Sequence, residues 1–76
     1  MKFVINLEEL SGSTREQLAK EISNKNLLDK LAEDTNEYVR AAVARNPKTT
    51  LSTLNKLAED KYCIVRHAVA GNLNTS

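Results

Sequence analysis

The sequence predicts an all-α chain built as a short helical repeat, and three observations carry that reading. The chain matches itself: residues 25–50, KNLLDKLAEDTNEYVRAAVARNPKTT, align without a gap on residues 51–76, LSTLNKLAEDKYCIVRHAVAGNLNTS, at a shift of 26, with 13 identities in 26 positions. Within each copy apolar residues recur at i, i+3 and i+4, the period of one helix face. Polar bends and helix-stopping residues separate these stripes. The chain divides accordingly into an N-terminal cap segment, residues 1–24, and two helical repeats, residues 25–50 and 51–76, within one structural domain.

The first 24 residues do not share the 26-residue register. Lys2 to Ile5 reads as an extended arm, or else Asn6 with Glu9 caps a short turn through Leu10; the residues leave both open. Ser13, Thr14, Arg15 and Glu16 fit the capping-box pattern, and Leu18 with Ile22 forms an i, i+4 apolar pair, so a helix is expected over about residues 14–23. A terminal unit of a repeat array is commonly atypical because one of its faces meets water.

In the repeats, Leu28, Leu31 and Ala32, echoed by Leu54, Leu57 and Ala58, form the stripe of a first helix. A polar bend follows, residues 33–37 in the first copy. Asp34 and Asp60 stand ahead of the second helix, placed to satisfy its free amide donors and to meet the positive end of its dipole. Val39, Ala42 and Val43, echoed by Val65, Ala68 and Val69, give the second stripe. Asn46 with Pro47 is a stop signal, since Asn tolerates the left-handed conformation after a helix and Pro drives its predecessor out of the α region. Gly71 with Asn72 marks the same place in the second copy. Thr49, Thr50 and Ser52 offer oxygens to start the next helix. Each helix is about two to three turns long, too short to persist alone in water, so packing must hold it.

Composition narrows the function classes. Seventy-six residues lie near the lower limit for unaided folding and leave little room for a substrate cleft. The apolar content is ten Leu, eight Ala, five Val and three Ile, with Phe3, Tyr38 and Tyr62 the only aromatics, which suits interlocking helices better than a deep pocket. Eleven basic against ten acidic residues leave +1, and each repeat also carries +1, too little for a confident nucleic-acid or anionic-membrane footprint. No glycine-rich phosphate loop, His-Glu-x-x-His or Gly-x-Ser-x-Gly occurs, so no enzyme activity is expected. A single cysteine, Cys63, cannot form an intramolecular disulfide, the N-terminal apolar run is too short for a signal peptide, and nothing approaches the roughly 20 apolar residues of a membrane span. A cytoplasmic location is expected.

The run LLDKLAEDTNEYVRAAVARNPKTT and its echo TLNKLAEDKYCIVRHAVAGNLNTS resemble the variant leucine-rich repeat: a leucine helix, Leu-Ala-x-Asp, a polar bend, Val-Arg, a small-residue helix, then Asn-Pro and Thr. The second copy departs from the pattern where Leu73 stands in place of Pro. The Asp-x-x-x-x-Val-Arg element, Asp34 to Arg40 and Asp60 to Arg66, is also similar to the HEAT repeat. The first resemblance implies alternating short helices in a right-handed solenoid, and the second implies paired α-helices. The iron–sulfur cluster carried on N-terminal cysteines by one member of the variant family is not implied, because no cysteine precedes Cys63. No cofactor is expected.

Asp34, Arg40, Asn46, Asp60, Arg66 and Asn72 recur in phase and read as structural repeat positions. Arg40 and Arg66 either form a basic stripe that tracks phosphates or pair with bend carboxylates and carbonyls; the constant phase with the aspartates favours pairing. Cys63 and His67, at i, i+4, share a helix face but lack further ligands, so no metal or catalytic role is expected. Tyr38, Arg45, Lys48, Tyr62 and His67 are the candidate partner-binding residues, since the copies differ there; for Tyr38, the counterpart of Ile64, a core-facing position is preferred. The expected function is a non-catalytic module that binds another protein. A small nucleic-acid binder using Arg40, Arg45, Lys48 and Arg66 is one alternative. A fragment or cap of a longer array, self-associating through its C-terminal end, is another.

Overall fold

The structure, a computed structural model, describes residues 7–74. The expected arm at Lys2 to Ile5 and the capping role of Asn6 lie outside the described residues. These are all-helical: a 3₁₀ turn, Leu7–Glu9, is followed by α1 (Gly12–Glu21), α2 (Lys25–Leu31), α3 (Glu37–Arg45), α4 (Leu51–Leu57) and α5 (Cys63–Asn74), with no strand among them. The second and third long helices in the line of packing, α3 and α5, belong to the two copies; α3 packs against both α1 and α5. The two short helices bridge that row, α2 touching α1 and α3, α4 touching α3 and α5. The molecule measures 41 × 22 × 17 Å.

Local chemistry starts each helix. Asn24 Oδ1 accepts from the Leu27 amide, Asn36 Oδ1 from the Tyr38 amide, and Thr50 Oγ1 from the Thr53 amide. The first helix begins earlier than the capping box suggests. Its N-cap is Ser11, whose Oγ accepts from the Thr14 amide, so Ser13 and Glu16 lie inside the helix. The two leading helices of the repeats are equivalent: both run seven residues and end on Ala32 and Ala58 at φ, ψ of −65°, −17° and −64°, −18°.

The expected stripes form the core. Leu28, Leu31, Val39, Ala42, Val43 and Val65 are wholly buried, and Leu54, Leu57, Ala68 and Val69 nearly so. Ala32 and Ala58 are departures: as helix-ending residues they sit at the rim, Ala32 half-buried and Ala58 exposed. Ala41 and Ala44 are buried although they lie off the stripe. Their helix has neighbours on two sides, so a wider arc of its surface must be small and apolar. The counterparts His67 and Ala70 are exposed, because α5 is covered only from the α3 and α4 side.

Two helix ends differ from expectation. Asn46 leaves α3 at φ −73°, ψ 124°, an extended conformation, and no residue, glycine included, has positive φ among the described residues. Pro47 is the sufficient cause, since it forbids its predecessor the α region. In the second copy Gly71 and Asn72 do not stop the helix, which runs on through Asn74. Leu73 retains the amide that Pro47 lacks, and a single Gly costs a helix only about 1 kcal/mol.

Candidate interaction site

The bend places an aspartate and fixes its oxygens. Asp34 Oδ1 accepts from the Asn36 amide at 2.9 Å, and Asp60 Oδ1 accepts from the Tyr62 amide at 3.0 Å. The aspartates thus organise the turn ahead of the helix, and the cap of α3 itself is Asn36, which corrects the expectation that Asp34 serves the helix amides directly.

Each aspartate is gripped by an arginine of the preceding long helix, Arg15 of α1 for Asp34 and Arg40 of α3 for Asp60. Arg40 donates from Nε to Asp60 Oδ2 at 2.7 Å and from Nη2 to Asp60 Oδ1 at 3.2 Å, while its Nη1 donates to the Asp34 carbonyl at 2.7 Å. Arg15 treats Asp34 in the same way, at 2.7 and 3.2 Å, with Nη1 on the Leu10 carbonyl at 2.6 Å. All four side chains are largely enclosed, at 10–17% exposure, so these planar two-bond pairs are shielded from solvent. The bond from Arg40 holds the Asp60 carboxyl below the usual carboxylate range, against the opposing effect of burial and with help from the Tyr62 amide and the charges of Arg40 and Arg66. The Arg40 guanidinium is correspondingly raised, chiefly by its bond to Asp60.

A second polar series runs along the helix ends. Asn46 Nδ2 donates to the Ala19 and Ile22 carbonyls, both at 2.8 Å, and Asn72 Nδ2 donates to the Ala44 and Asn46 carbonyls at 2.8 and 3.0 Å. The final carbonyls of one long helix, which have no partner within it, are thereby satisfied from the next long helix. Thr49 Oγ1 adds a bond to the Val43 carbonyl at 2.6 Å.

Arg15 is the joint residue that the gapless self-comparison misses. Its signal is a shorter pattern, Arg-x-x-apolar-Ala, present as Arg15-Leu18-Ala19, Arg40-Val43-Ala44 and Arg66-Val69-Ala70. The first step between these is 25 residues and the second 26, so a fixed shift aligns only the last two.

The candidate partner-binding residues all lie at the surface, and two of them, Arg45 and His67, line a common groove. Tyr38 is 52% exposed, which overturns its core-facing reading. It stands in the first turn of α3, where the half-buried Ile64 of the second copy is instead packed against the core. Tyr62 is 42% exposed, with the Arg40 guanidinium 5.6 Å and the Lys61 ammonium 5.4 Å from its ring centre. Arg45 and His67 come together across a groove of about 340 Å³ whose other walls are Ala68, Gly71 and Asn72; Lys48 is exposed outside it. Cys63 is exposed at the start of α5, and no group of three metal-ligating side chains occurs among the described residues. Arg40 is not available as an open cation for phosphates, because Asp60 occupies it. No helix among the described residues is long and apolar enough to cross a membrane.

No protein-family model matches the sequence, and no curated protein and no solved structure matches it.

Proposed function

We propose that the chain is a non-catalytic helical-repeat module, a short right-handed solenoid like the variant leucine-rich and HEAT repeats it resembles, that binds another protein through its surface. One observation carries this reading. Five polar residues that recur between the copies, Asp34, Arg40, Asn46, Asp60 and Asn72, turn inward and join neighbouring helices, while Arg66 and the pairs Lys30/Lys56 and Glu33/Glu59, which also recur, are exposed. Those that differ between the copies, Tyr38, Arg45, Lys48, Tyr62 and His67, are exposed. An arrangement that keeps the joints constant while part of the outside varies suits recognition of a macromolecule. Exposed tyrosines beside cations are effective interface anchors, since they bring large contact area at little entropy cost.

The nucleic-acid reading retains Arg45, Lys48 and Arg66 but loses Arg40 to Asp60. Photo-crosslinking residues placed at Tyr62 and His67 test the choice. The protein-binding reading expects a discrete protein adduct that unlabelled chain competes away, and no retardation of labelled DNA or RNA at low ionic strength. Salt-sensitive retardation without a competable adduct replaces it with the nucleic-acid reading.

A further inference from the structure

Resting on the stacked reading above, we propose that the open face of α5 docks a helix–bend–helix segment of another protein, gripped by Arg66 through an aspartate in that segment's bend. Arg15 and Arg40 each make a three-part contact: Nη1 on a carbonyl five or six residues earlier, and Nε with Nη2 on the carboxylate of the unit that follows. Arg66 makes the first part, Nη1 donating to the Asp60 carbonyl at 2.6 Å. No carboxylate among the described residues is bonded to its Nε and Nη2. The guanidinium is therefore already oriented, and the half of the fork that takes a carboxylate in both other cases faces outward.

The surface around it matches. Ala41 and Ala44 are wholly buried where the next unit covers α3, whereas their counterparts His67 and Ala70 are exposed on α5, beside Leu73 at 54% exposure. The shape that covers α3 is a short helix, a bend and a second helix, and the same shape fits α5. Aspartate is the required acid because its short side chain also binds the amide two residues on, as Asp34 and Asp60 do, and so presents both oxygens in a fixed plane. A second copy of this chain is a poor occupant. Its bend aspartates already hold Arg15 and Arg40, so it offers one only by breaking a pair of its own.

A peptide of residues 47–76 is a suitable probe, since it carries Asp60 without Arg40. Titrated into the full chain and followed by NMR, it is expected to shift the Arg66 Nε–H and Leu73 methyl signals saturably and to leave Arg40 unmoved. The Asp60→Asn peptide is expected to bind at least about ten-fold more weakly. A companion protein with residues 47–72 duplicated in tandem after Asn72 removes the concentration requirement. In it, Arg66→Ala and Asp→Asn in the inserted bend are expected to lower the melting midpoint equally, and the double substitution no further. Absence of both peptide binding and coupling overturns the proposal. Coupling without peptide binding overturns the assignment to another chain, and a dimer of the unmodified chain that Arg66→Ala abolishes assigns the face to a second copy instead. The Arg40→Ala and Asp60→Asn cycle in the unmodified chain separates the two levels: no coupling there removes the stacked reading itself.

Discussion

Arg15 and Arg40 make the same two bonds to a bend aspartate further along the chain, Asp34 and Asp60 respectively, Nε to Oδ2 at 2.7 Å and Nη2 to Oδ1 at 3.2 Å. One lies in the segment read from sequence as a cap and the other in the first repeat. The cap therefore joins the repeats by the joint that the repeats use between themselves.

That joint has a measurable strength. Removing one partner leaves the other enclosed and short of its bonds, so Arg40→Ala and Asp60→Asn are each expected to cost about 1.5–3 kcal/mol, with strong coupling between them. In a chain of this size the loss appears as a fall of roughly 4–8 °C in melting midpoint per kcal/mol. Arg15→Ala is expected to cost a similar amount. Denaturant titration of the single and double variants checks it; additive effects at Arg40 and Asp60 mean that the pair contributes little.

The same pair sets a dependence on pH. Asp60 has its folded pKa below the unfolded value of about 3.9, so its contribution is fully present above that value and is lost as pH falls through the folded one. Stability is expected to decline between about pH 5 and pH 2, and Asp60→Asn to be less stable at neutral pH with a shallower acid decline. Urea midpoints across this range, for both proteins, decide it; parallel curves contradict the assignment.

Much of this architecture is legible in the sequence, and the omissions have physical causes. Leu28, Leu31, Val39 and Val43, with their counterparts, are identified by spacing because one helix face must be apolar wherever it is covered. Ala41 and Ala44 escape that rule because coverage from two sides cannot be read from one helix's period. The overrun of α5 past Gly71 shows that the proline, not the asparagine, is the decisive part of the stop. Arg15 is hidden by a one-residue change of spacing that a helical chain absorbs in its connecting turn. At the candidate site, the exposure of Tyr38 depends on which side of α3 the neighbours occupy, and its alignment with Ile64 carries no such information.

Asn46 is expected to be more sensitive than Asn72. It is 2% exposed and its side chain bonds the Ala19 and Ile22 carbonyls and the Lys48 amide, all at 2.8 Å. Asn46→Ala leaves these groups short of a partner and is expected to cost about 3 kcal/mol, against about 1–2 kcal/mol for the half-buried Asn72→Ala. Asn46→Asp is expected to be worse than Asn46→Ala, since it turns a carboxylate oxygen toward two carbonyls. Chemical denaturation of the three variants gives the order.

The two glycines are expected to respond to alanine with opposite signs, although both lie in helices without positive φ. At Gly71 a Cβ meets nothing within 4 Å, so Gly71→Ala gains helix propensity and restricts the unfolded chain, a stabilisation of about 0.5–1 kcal/mol. At Gly12 a Cβ falls 2.6 Å from Asn36 Nδ2, inside contact distance. The amide must move, and its Oδ1 is the cap that accepts from the Tyr38 amide at 2.8 Å at the start of α3. Loss of such a cap costs about 1 kcal/mol, which outweighs the small gain in propensity available at the first position of α1. Gly12→Ala is thus expected to lower the melting midpoint and Gly71→Ala to raise it. A Gly12→Ala protein as stable as the parent would show that Asn36 finds another rotamer that still caps α3.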